Sequence, residues 1–227
     1  FFLLCLGMDL SALWTVPLGA LQEAHPVAIG FGVVLLLLFI GLIVLIRAGL
    51  LVKPVCFETT VSETKCFAYV RCKGPFTQIS TQFKRVATLL QERGITKTNE
   101  GVGVFFDDPS ERPSSELRWW VGFAISPQST HVVTPESGLH LFTIPGGARA
   151  VVGVFPWGNF LSPVIGPKRV YPRLQELANK KQLDIPGPAV EFYTENPENG
   201  KMEDIRYTFL LDHHTELEYD HGHEHGD

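Results

Sequence analysis

Twenty consecutive uncharged residues, Val27 to Ile46 (VAIGFGVVLLLLFIGLIVLI), limit what this chain can fold into more than any other feature. At about 1.5 Å per residue they form a helix roughly 30 Å long, which matches the hydrocarbon core of a bilayer. A core helix of a soluble domain carries a polar stripe, and here no face carries one. Gly30, Gly32 and Gly41 fit a spanning helix, where glycine is better tolerated than in water, and they give no G-x-x-x-G spacing for helix pairing. The segment therefore predicts a single span at 27–46, preceded by a short lumenal or extracellular segment, 1–26. The chain opens at Phe1 without a methionine, which suggests a trimmed or fragmentary N-terminus. Phe1 to Leu6 lacks the basic region and the length of a signal sequence.

Orientation follows from the flanks. Arg47 and Lys53 come directly after the span, whereas Asp9, Glu23 and His25 precede it. The excess of positive charge on the C-terminal side places everything after the span in the cytosol. Residues 47–60 read as a juxtamembrane linker, 61–212 as a folded domain long enough to bury a core, and 213–227 as a tail. Residues 1–190 carry 17 Lys and Arg against 13 Asp and Glu, while 191–227 carry 2 against 11. Acidity is thus confined to the end of the chain, and no basic stripe with interleaved aromatics predicts nucleic-acid binding. Cys5, Cys56, Cys66 and Cys72 show no C-x-x-C spacing, and the last three face a reducing cytosol, so free thiols are expected. Cys56 lies close enough to the span for acylation, although an unmodified linker residue is the simpler account.

The domain repeats itself. An offset of 88 residues lays Val104-Phe105-Phe106-Asp107-Asp108-Pro109 on Phe192-Tyr193-Thr194-Glu195-Asn196-Pro197, and Leu117–Phe123 on Ile205–Leu211. Upstream, Cys66–Val70 and Ala150–Phe155 read as strands. Phe76, Ile79, Phe83, Val86 and Leu90 recur with helical spacing up to about Gly94. In the second half a proline-interrupted segment precedes a helix marked by Val170, Leu174 and Leu177 that runs to about Lys181. The unit is strand, helix, strand, strand, used twice, and the class is α+β. Two such units predict pseudo-symmetric sheets, each with one helix, and a cleft where their open faces meet.

Aromatic walls with a carboxylate suit apolar or cationic ligands, and the cleft candidates are Trp119, Trp120, Trp157, Glu191 and Tyr193. Strand alternation puts Glu191 and Tyr193 on one face and Phe192 on the other. The alternative is that the tryptophans are core or hairpin packing and Glu191 a solvated edge residue. No catalytic residue is assigned: His131 and His140 lie in or beside loops, His213 and His214 follow the last strand, and none neighbours a nucleophile. The tail histidines His213, His214, His221, His223 and His225 alternate with acids, but a low-complexity segment supplies no preformed shell, so neither metal nor cofactor is expected.

Gly74-Pro75-Phe76 opening a helix, Val104–Pro109, the Ile144-Pro145-Gly146-Gly147 turn, and Val190-Glu191-Phe192-Tyr193 followed by Asn196-Pro197 together resemble the gyrase-inhibitor-like (GyrI-like) effector-binding domain, over roughly Val61 to Leu211. With a single span in front and no DNA-binding helices, the arrangement is similar to the testis-expressed protein 264 family of endoplasmic-reticulum autophagy receptors. The resemblance implies an endoplasmic-reticulum anchor, a cytosolic domain, and as partners the ubiquitin-like modifiers of autophagy or quality-control ATPase machinery. It also implies a modifier-binding peptide in an acidic tail, an aromatic, two spacers and then an aliphatic anchor. The tail offers only Tyr219-Asp220-His221-Gly222, without the second anchor. Tyr207–Leu210, Phe67–Val70 and Tyr171–Leu174 fit the spacing, but they fall in predicted strands or helix and read as chance matches. The rival function is a small-molecule-binding or hydrolytic cleft tethered to a membrane.

Overall fold

The computed structural model describes residues 26–185 and 187–212. The chain divides between Leu45 and Ile46 into two units. Helix α1 (Pro26–Arg47) takes up the apolar run without a break, and among the described residues it is the one helix long and apolar enough to cross a membrane. The acidic, His-rich tail and nearly all of the segment before the span lie outside the described residues.

The second unit contains β1 (Val55–Thr60), β2 (Lys65–Lys73), α2 (Ile79–Glu92), β3 (Lys97–Phe105), β4 (Arg118–Ile125), β5 (His140–Ile144), β6 (Arg149–Pro156), α3 (Ser162–Lys181), β7 (Ala189–Glu195) and β8 (Met202–Leu210). The expected repeat is present as β2-α2-β3-β4 and β6-α3-β7-β8. Two strands stand outside it. β1 occupies part of the segment read as linker, and β5 occupies part of a stretch read as loop. Both are edge strands, half-exposed and short of the apolar alternation that marks a buried strand. Helix α3 also begins earlier than expected: Ser162 to Lys181 is helical through Pro167 and Pro172. Each proline forfeits a backbone bond. The compensating contact is the row Gly166, Val170, Leu174 and Ala178, which is buried against the sheet.

The strands form one sheet in the order β1-β6-β8-β7-β3-β4-β2-β5, antiparallel throughout. This corrects the expectation of two separate sheets, because β3 and β7 pair at the centre and make the halves continuous. The sheet cannot be flat. Residues 61–64 join β1 to β2 and residues 145–148 join β5 to β6, and each link crosses six strand spacings. Six spacings measure about 29 Å in a flat sheet, whereas four linking residues reach about 18 Å. The edges therefore curl toward each other, and the links meet: Val61 N–H donates to Ala148 O at 2.8 Å, and Gly147 N–H to Val61 O at 2.7 Å.

The curl gives the sheet an inner and an outer face. Both helices pack on the outer face, α2 through Val86 and Leu90 and α3 through Val170 and Leu174. The inner face fills itself with Phe67, Tyr69, Trp120, Phe142 and Phe192, including stacked pairs Phe67–Phe142 at 4.9 Å and Tyr69–Trp120 at 4.3 Å between ring centroids. Cys56, Cys66 and Cys72 are free thiols.

Gly122 sits opposite Tyr69 in the β2–β4 ladder, and a Cβ there would collide with the Ala68 carbonyl and lie 2.8 Å from Tyr69 Cβ. Gly122→Ala is expected to destabilise the domain by about 1–3 kcal/mol, read as a lowered midpoint in chemical denaturation of the detergent-solubilised chain. An unchanged midpoint would show that this ladder is not as tight as described.

Candidate functional site

The strand alternation expected for Glu191 holds. Val190 and Phe192 point to the inner face, and Glu191 and Tyr193 to the outer one. The position is central, because β7 lies in the middle of the sheet, with Glu191 opposite Gly103 on β3 and Tyr207 on β8. Gly103 and Gly101 present no side chains there, and the rings of Phe105 and Phe83 occupy that space. Helix α3 brings Tyr171 down onto the same spot.

The result is a carboxyl group enclosed by phenols. Tyr171 Oη donates to Glu191 Oε1 at 2.7 Å, and Tyr193 Oη donates to Oε2 at 2.7 Å. Tyr171 meets Tyr207 edge-on, with ring centroids 5.4 Å apart. The Tyr207 hydroxyl is buried and has no hydrogen-bond partner among the described residues. Glu191 is only 5% exposed. Burial pushes its carboxyl up to about 7, against the opposing effect of the two phenol hydrogen bonds. Burial, followed by the proximity of Glu191, raises Tyr171 and Tyr193 well above the ordinary phenol range. Near neutral pH the cluster can hold or release one proton in a dry setting, and it contains no nucleophile paired with a base.

The five cleft candidates do not converge. Glu191 and Tyr193 belong to the cluster under α3. Trp119 is on the outer face of the other half, donating from Nε1 to Gly74 O at 3.0 Å. Trp120 is inside the curl between Tyr69 and Phe106. Trp157 precedes α3 and packs at the edge of the α3 core. A cavity of about 450 Å³ does open on the inner face, but none of the five lines it; Phe57, Val152, Val154, Phe192, Lys65 and Arg206 are among the residues that do. At its rim Lys65 Nζ binds both oxygens of Glu100, at 2.8 and 2.7 Å. Sequence reasoning missed Tyr171, Tyr207 and this ion pair. The alternation of Ile205, Tyr207 and Phe209 held the signal for Tyr207, whereas the Lys65–Glu100 meeting across β4 depends on strand order, which local pattern does not encode.

Other singled-out residues are structural. Asp107 takes the Arg118 guanidinium at 2.8 Å and the Arg118 backbone N–H at 2.7 Å, which holds its carboxyl below the usual range. Asp108 caps the following turn through Ser110 N–H at 2.7 Å. His140 lies on β5, and burial with Arg71 nearby lowers its pKa.

No protein-family model and no curated protein matches the chain. Solved structures do match it in fold. The EcmrR C-terminal domain superposes with a TM-score of 0.52 at 12% identity, covering 70% of this chain and 98% of that one. EcmrR in its complex with DNA, in EcmrR-RPo, gives 0.54 at 12% identity, covering 93% of this chain and 80% of that one. A hydrolase from Listeria innocua gives 0.42 at 13%, covering 69% and 90%. The domain shares the fold of the EcmrR C-terminal domain.

Because the folded protein favours the neutral Glu191 and the unfolded chain does not, the unfolded chain releases its proton first as pH rises. Stability from this group is full below about 4.5 and is lost as pH climbs through about 7, by about 3 kcal/mol. Glu191→Gln keeps a neutral amide in place. Denaturation midpoints of wild type minus variant are therefore expected to fall between pH 4.5 and 7 and then level. A flat difference would show that Glu191 is ionised in the fold.

Proposed function

We propose that this chain is a single-pass membrane protein whose cytosolic GyrI-like domain works as a recognition module, with the endoplasmic reticulum as its compartment and autophagy or quality-control machinery as its partners. The observation that carries the recognition reading is the burial of the ligand-cleft candidates. Glu191 is sealed by Tyr171 and Tyr193, and Trp119 and Trp120 are 0% and 1% exposed. A small molecule would have to break the sheet-to-α3 packing to reach Glu191, and the α2-side or inner-face core to reach the tryptophans, whereas a protein partner needs only the surface. Attachment is supported by α1, which ends eight residues before β1 begins, and orientation by Arg47 and Lys53. The compartment and the partner class rest on the order and spacing of the motifs quoted above. The three embedded matches to a modifier-binding peptide do not contribute, since they lie within β2, α3 and β8 and such a peptide must be free to add as a strand. No catalytic role is proposed.

The inner-face cavity favours a second reading, binding of an amphipathic small molecule. Its lining is half apolar, with Phe57, Val152, Val154 and Phe192, and half polar, with Lys65, Glu100, Asp204 and Arg206 among the charged groups, a mix that suits an amphipathic molecule.

In sealed microsomes containing the full chain, added protease is expected to digest the domain, and a protected domain would overturn the orientation. Titration with an apolar phosphonium cation is expected to leave tryptophan fluorescence without a saturable shift. A saturable shift that Glu191→Gln abolishes would replace the recognition reading with ligand binding.

A further inference from the structure

The residues that follow the span are built into the domain. Ser162 Oγ donates to Ala48 O at 3.2 Å, and the Gly158 backbone lies so near the Arg47 carbonyl that any side chain at 158 would overlap it. Arg169 donates from Nη2 to Val52 O at 3.0 Å. Segment 46–57 and segment 157–173 therefore form one surface, and its composition is unlike the rest of the chain. Together they hold five basic residues, Arg47, Lys53, Lys168, Arg169 and Arg173, and no acidic residue, in a protein of net charge −5. Phe160 is 75% exposed, Leu51 69% and Val164 58%. Trp157 is half-buried beside them in sequence. Exposed apolar and aromatic groups flanked by bases are the chemistry of a membrane interface.

We infer that this surface, centred on Phe160, Val164 and Leu51, inserts into the headgroup region of an anionic leaflet and holds the domain against the bilayer that anchors it. The inference rests on α1 being a span. If α1 leaves the hydrocarbon at Arg47, Arg47 is at headgroup level, and the 158–162 segment touching its carbonyl is at that level too, whatever the tilt of the helix. Lys53 and Lys168 then meet lipid phosphates, and Phe160 and Val164, which no part of the domain covers, meet acyl chains. Lipid is favoured over a protein partner because the surface is contiguous with the end of the span and its charge is predominantly basic, Glu176 offsetting only Arg173, at 3.0 Å.

The test uses the full chain in nanodiscs of phosphatidylcholine with phosphatidylserine. A fluorescent amino acid replaces Phe39 in the span, Phe160 in the surface, or Leu141, a half-exposed residue on β5 at the far edge of the sheet. Brominated acyl chains quench only fluorophores in lipid. Quenching is expected at 39 and 160 and not at 141, with that at 160 falling at least twofold when phosphatidylserine is omitted or in the Lys53→Glu/Lys168→Glu background. Quenching at 39 with 160 as unquenched as 141 overturns the inference and leaves the span intact. No quenching at 39 overturns the span, and the inference with it. Quenching at 160 that is indifferent to phosphatidylserine overturns the anionic-leaflet part.

Discussion

Two four-residue links decide the shape of this domain. They tie β1 to β2 and β5 to β6 across a sheet that would be too wide for them if it lay flat. The curl that results separates an inner face, which packs on itself, from an outer face, which needs helices. It also explains why an antiparallel sheet with helices on one side leaves so little of its other side to water. The approach of Phe67 to Phe192, 5.7 Å between ring centroids, is a consequence of that curvature, since β2 and β7 are three strand spacings apart in the sheet and a flat sheet would hold their rings apart.

The repeat was legible because its elements are buried on a regular period. Cys66 to Val70, Ala150 to Phe155 and the Phe83-Val86-Leu90 row announce themselves by apolar spacing. The edge strands were not legible, because Phe57 and Leu141 are exposed enough that their neighbours need no strict alternation. The curl was not legible either. It comes from strand order, which local pattern does not encode, and it turned an expected open cleft into an aromatic interior with a cavity at its side. The prolines before Val170 misled in the opposite direction: the segment holding Pro167 reads as interrupted, but tertiary packing overrode the local preference and the helix starts at Ser162.

For the candidate site, face assignment was within reach of the sequence and depth was not. Alternation alone placed Glu191 and Tyr193 together. It could not say whether that face would be solvent, cleft or core, and α3 settled the matter by bringing Tyr171 over the carboxyl. The centre of this sheet is therefore a carboxyl group closed in by phenols, buried enough that its proton is held more tightly than in water.

The strand order also governs how the protein is made. β1 finds its partner in β6, about 90 residues later, and β3 finds β7 at a similar distance. The apolar helix emerges from the ribosome before either pairing is possible. During synthesis the first half is therefore a nascent chain with the edge of β3 unpaired and the inner aromatics uncovered until β8 appears. Slowed translation near residue 210 would lengthen that exposed interval, and chaperone demand would rise with it.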